Sequence, residues 1–131
     1  MRSLVRNARV GHLATVGADG LPHVVPICFA LVESTAYSAV DHKPKRHPRL
    51  RRIANIEDTG HATLLVDHYE ETWSALWWVR LDGPARVVHD LNEAGGALAA
   101  VVAKYEQYAQ SPPKGPVIAL DVARWSGWSA G

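Results

Sequence analysis

The sequence predicts a mainly β chain with flanking helices, closed into a full or split barrel. Three observations carry this: β-rich runs recur along most of the chain, an Asp-Gly turn joins the first two, and one long helical pattern precedes the last run. Residues 12–16 (HLATV) and 22–31 are the first two runs, and Gly17-Ala18-Asp19-Gly20 between them supplies the positive φ of a tight hairpin. Residues 36–40 read as a third strand after a turn at Glu33-Ser34-Thr35. Pro44 and Pro48 then interrupt regular structure until a short helix begins near Pro48, with Leu50, Ile53 and Ala54 on one face.

Residues 61–69 and 73–89 read as long strands, the second bent at Gly83-Pro84 as at a bulge or barrel corner. Asp90 and Glu93 form a capping box, and Leu91, Ala94, Leu98, Val101, Val102 and Tyr105 recur at helical spacing. Ser111-Pro112-Pro113-Lys114-Gly115 stops that helix, and 117–125 alternates as a closing strand. The expected order is therefore five or six antiparallel strands, a short basic helix after the third and one long helix before the last. Closure into a barrel removes the exposed edges such a sheet would otherwise carry.

With 131 residues and no repeat, linker or low-complexity tract, residues 1–131 are expected to form a single domain. Hydrophobic residues at 47% and charged residues at 21% exclude the disordered and fibrous classes. No apolar run approaches the roughly 20 residues of a membrane span, and the first residues lack the apolar stretch of a signal peptide, so a cytoplasmic protein without membrane contact is expected. Cys28, the one cysteine, lies in an apolar run and reads as a small buried thiol, so redox chemistry must come from a cofactor.

The net charge of +1 hides an uneven distribution. Residues 42–52 (HKPKRHPRLRR) hold Lys43, Lys45, Arg46, Arg49, Arg51 and Arg52 and no acid, which leaves eight cations against 13 acids, about −5, elsewhere. Six like charges so close together repel one another, and an anion relieves that repulsion. Phosphate suits the planar fork of arginine and the free amides of a helix start. Asn55 on the same helix either donates to the anion or is an ordinary surface residue. Nucleic acid is the rival anion, but no helix-turn-helix, zinc-finger or RNP-like pattern is present, and the acidic remainder repels a long polyanion.

The seven histidines (His12, His23, His42, His47, His61, His68 and His89) show no metal-ligand spacing, so no metal site is expected. No G-x-S-x-G, glycine-rich phosphate loop or nucleophile constellation is found, and the catalytic residues stay unassigned. Trp73, Trp77 and Trp78 read as one strand, with Trp77 and Trp78 on opposite faces, one in the core or an interface and the other bordering a ligand.

Four segments in register, HLATVGADGLPHVVPI (12–27), DHKPKR (41–46), LRRIANI (50–56) and ATLLVD (62–67), resemble the pyridoxamine-phosphate-oxidase-like split β-barrel proteins. The pattern DHKPKR, LRRIANI, LLVDHY, LWWVRLDG is similar to the actinobacterial branch that depends on the deazaflavin coenzyme F-420. The resemblance runs over residues 10–125 and implies a homodimer with two cofactor sites at the subunit interface. It implies that Lys43, Lys45, Arg51, Arg52 and Asn55 hold the cofactor's phosphate and acidic tail, and that Thr15, Val25 and Pro26 lie near the ring. The implied activity is hydride transfer between reduced F-420 (8-hydroxy-5-deazaflavin) and a small quinone-like or conjugated acceptor. An FMN-dependent oxidase or reductase and a non-catalytic deazaflavin carrier remain the alternatives, and the family also contains haem-binding proteins. Solvent, Tyr69 and His42 are the open choices for a proton donor.

Overall fold

The computed structural model describes residues 1–40 and 50–131. Along them run α1 (Arg2–Asn7), β1 (Gly11–Val16), β2 (Pro22–Ile27), β3 (Ala30–Val32), β4 (Thr35–Ala39), α2 (Arg51–Thr59), β5 (His61–His68), β6 (Trp77–Val88), α3 (Leu91–Lys104), α4 (Glu106–Gln110), β7 (Val117–Asp121) and β8 (Arg124–Ser129). The strands follow the order β2-β1-β5-β6-β7-β4-β3, with β8 also on β6, and every pairing is antiparallel. This is the expected mainly β architecture with flanking helices.

The first hairpin forms as its turn residues dictate. Gly20 takes φ +80° and its amide donates to the Gly17 carbonyl at 2.9 Å, while the Asp19 carboxylate accepts from the Leu21 amide at 3.0 Å. The run 22–31 is not one strand. It breaks at Cys28-Phe29 into β2 and β3, and the hydroxyl of Tyr105 accepts from the freed Phe29 amide at 3.1 Å. The run 117–125 likewise divides into β7 and β8, where the amides of Val122 and Ala123 donate to the carbonyls of Ser34 and Asp82, both at 2.9 Å. The basic helix thus follows the fourth strand, and the long helix precedes the last two.

β6 joins the two halves of the barrel. Residues 77–82 of β6 lie between β5 and β8, and residues 85–88 pair with β7. The change of partner falls at Gly83, where any Cβ would overlap the main-chain oxygen of Asp121. Trp73 does not belong to this strand: it sits 75% exposed in a 3-10 turn, Trp73–Ala75. Trp77 packs against the barrel core, and Trp78 takes the opposite face.

Inward-facing alternate residues, among them Leu13, Leu64, Val66, Val79, Leu81 and Leu120, fill the barrel together with Phe29 and Ile53 and Ile56 of α2. Each such large side chain contributes roughly 1.5–3 kcal/mol by leaving water. Leu50 stays outside this face, as the exposed N-cap of α2. A second, smaller core lies where Ala97 and Val101 of α3 meet Ala30, Ala39, Val117 and Ala119.

The Asp90 side chain caps α3 by accepting from the Glu93 amide at 2.9 Å, but Glu93 does not close the reciprocal half of a capping box. Its carboxylate instead meets Arg86 in a two-point pair, both contacts 2.8 Å, and accepts from the Tyr37 hydroxyl at 2.7 Å. Leu91, the first residue of α3, is 86% exposed, and the helix ends at Lys104. Among the described residues no helix is long and apolar enough to cross a membrane.

Candidate functional site

The sequence directs attention to the start of α2. Thr15 of β1 and Asn55 of α2 are both buried, and the Asn55 amide nitrogen donates to the Thr15 hydroxyl at 3.0 Å. One turn later the Thr59 hydroxyl lies 3.0 Å from the Val16 carbonyl and 2.9 Å from that of Asn55. The helix is thus fastened to β1 along its second half and ends at Gly60, in the left-handed conformation. Fixing that half determines where the first turn stands.

That first turn is electropositive. Its N-cap, Leu50, offers no side-chain acceptor, no acid lies in the turn, and Arg51 and Arg52 occupy its first two positions. Arg51 is exposed. Arg52 is half-buried, burial pulls its pKa down, and its Nε is buried with no hydrogen-bond partner among the described residues. A guanidinium nitrogen without an acceptor is costly, and an anion beside it removes the cost. Lys43 and Lys45, expected to share this role, lie outside the described residues, as does His42.

On β2 the two expected ring neighbours separate. Val25 pairs with Leu13 and packs against the barrel core, whereas Pro26 pairs with His12 on the outer face and is exposed. His23, on the same strand but not carried over with Val25 and Pro26, pairs with Thr15 on the same side as Val25, and its Nδ1 is buried without a partner among the described residues. Alternation along β2 was the signal that could have found it.

The outer face of the sheet is broad and partly apolar. Val24 and Leu65 remain exposed on it, and Trp78 pairs with Trp128 at its far side. A depression of about 370 Å³ opens there between Leu65, Asp67, Tyr69, Trp78 and Arg80. A second, of about 300 Å³, lies by Thr63 and Asp82, whose side chains bond at 2.5 Å. Tyr69 is 62% exposed at the rim of the first.

The model of a protein family described as pyridoxamine 5'-phosphate oxidase matches residues 1–129. The chain belongs to the pyridoxamine 5'-phosphate oxidase family. Solved structures repeat the fold. A conserved hypothetical protein from Mycobacterium tuberculosis superposes with a TM-score of 0.79 at 20% identity, over 98% of this chain and 81% of its own. A FAD-binding protein from Mesorhizobium loti gives 0.71 at 18% identity, over 96% and 89%. The heme storage protein of Vibrio cholerae gives 0.71 at 16% identity, over 98% and 90%. No curated protein matches the sequence. This family fold thus occurs in proteins described by different cofactors, and the residues around α2 must supply the rest of the argument.

Proposed function

We propose that the chain binds the deazaflavin coenzyme F-420 and works as an F-420-dependent oxidoreductase, exchanging a hydride with a small quinone-like or conjugated organic acceptor. The observation that carries this reading is the buried Nε of Arg52, without a partner among the described residues, at an uncapped helix start that closes the basic segment 42–52. These residues fit a cofactor with a phosphate and an acidic tail. Arg51 and Arg52, with Lys43 and Lys45, hold that tail. Thr15 and Asn55 keep α2 in place beneath it, and Val25 and Pro26 border the ring.

When bound, the reduced deazaflavin supplies the hydride. The chain's own part is to bind the tail, orient the ring and keep water from it. No side chain need act as nucleophile, which agrees with the lack of such a constellation in the sequence. The partly apolar outer face of β2, β1, β5, β6 and β8 suits burial against a second copy, and a homodimer belongs to this proposal.

Membership of the oxidase family favours FMN as the second reading. The two part in one titration: absorption spectra of the purified protein with F-420, FMN and haem in turn. Saturable binding of F-420 and reoxidation of its reduced form by a quinone panel are expected. Saturation by FMN or haem alone overturns the proposal, and F-420 binding without reoxidation leaves a carrier.

A further inference from the structure

A second cationic feature lies away from α2. A depression of about 540 Å³, a size usual for small-molecule sites, opens between α1, β3 and the end of α3. Arg6, Arg9 and Lys104 line it over an apolar floor that includes Ala30, Leu31 and Ala100. None of its lining residues is acidic, and none of the three cations pairs with a carboxylate among the described residues.

Two of the cations are held in place by neutral groups. The Lys104 ammonium donates to the Phe29 carbonyl at 2.8 Å and lies 4.0 Å from the centre of the Phe29 ring. The Arg9 guanidinium donates to the Lys104 carbonyl at 2.7 Å and stands over the Tyr105 ring at 5.6 Å. Main-chain oxygens and rings fix these side chains without cancelling their charge, and each keeps further N–H donors. The local field is strong enough to matter: burial, and then the charge of Arg9, bring the Lys104 pKa down to about 8. Arg6, at the end of α1, is exposed and adds a third charge.

We propose that this depression is a second ligand site, for a small organic anion: a phosphate or carboxylate gripped by Arg6, Arg9 and Lys104, carried on an apolar body that lies over Ala30, Leu31 and Ala100. Held cations lose little side-chain freedom on binding, which favours affinity. The apolar floor sets the ligand apart from a bare ion. This site is independent of the cofactor proposed for α2, since it shares no residue with it.

The test is an NMR titration of the isotope-labelled full chain with phenyl phosphate, inorganic phosphate and benzyl alcohol. Phenyl phosphate is expected to bind saturably and to shift the amides of Arg6, Arg9, Leu31, Ala103 and Lys104. Inorganic phosphate should bind more weakly, and benzyl alcohol should not saturate. Lys104→Met keeps the stem on Phe29, whose carbonyl still has the Tyr105 hydroxyl at 3.0 Å. That variant and Arg6→Gln should each weaken phenyl phosphate about tenfold, the loss of one charged donor, with an unchanged melting temperature. Shifts confined to Arg51 and Arg52, or affinity indifferent to both variants, overturn the site. Equal affinity for inorganic phosphate overturns the apolar half of the assignment.

Discussion

The Asn55 amide donates to the Thr15 hydroxyl at 3.0 Å, out of contact with water, and so ties the basic helix to the first strand of the barrel. Thr15→Val keeps the shape and removes the acceptor, stranding a buried N–H. The expected cost is about 1–3 kcal/mol in urea unfolding. Adding Asn55→Leu should recover part of it, because both polar groups are then gone. Additive losses would show that the pair does not interact.

Arg52→Met separates ligand binding from folding. If the guanidinium holds a phosphate or carboxylate tail, F-420 affinity should fall by about 1–3 kcal/mol, as for a charge-assisted hydrogen bond. Wild-type affinity should also fall as salt rises, since exposed charges are screened beyond about 8–10 Å. Thermal stability should hold or rise, because the change removes a poorly solvated charge. A collapse of stability with unchanged affinity would assign Arg52 to the fold.

Glu93 makes stability depend on acid. Arg86 first, and then the Tyr37 hydroxyl, hold its carboxyl at about 2 against an ordinary 4.5. Asp121, which accepts from the same Arg86 at 2.8 Å, is also lowered. The folded chain therefore binds fewer protons than the unfolded chain between those limits. The stabilisation is complete above about pH 4.5 and fades as pH falls towards 2. Tyr37, pushed up to about 12 by burial and by Glu93, should erode stability at the other extreme, from about pH 10 upward. Denaturant midpoints across pH should show the acid slope shrinking in Arg86→Met, and an unaltered slope would remove Glu93 from the account.

Light scattering at micromolar concentration should give the mass of two chains. Leu65→Arg places a charge in the middle of the outer face and should yield the mass of one. A monomer in the wild type would leave the homodimer without support.

The features that local chemistry controls were legible in the sequence. Asp19-Gly20 turns a hairpin because glycine accepts φ +80°, and Asp90 caps α3 because its carboxylate reaches the Glu93 amide. Features imposed by distant partners were not. Nothing between 22 and 31 announces a break, because the group that satisfies the Phe29 amide is Tyr105, 76 residues away. Glu93 leaves the capping box for Arg86 and Tyr37, which meet it only in the folded chain. The sequence named Thr15 and Asn55 separately, one for the ring and one for the tail of a cofactor, and gave no sign that the two bond to each other across 40 residues. Arg6, Arg9 and Lys104 escape a search for charge runs because they come from opposite ends of the chain.

Because β6 gives one end to each half of the barrel, neither half has a complete sheet of its own. Melting either one strips hydrogen bonds from a strand that the other depends on. Amide exchange should accordingly proceed in β5 and β7 through one shared global opening, not two separate ones. Domain-like dissection into autonomous fragments is closed to such a chain, and a destabilising change in either half will lower the standing population of the whole native molecule.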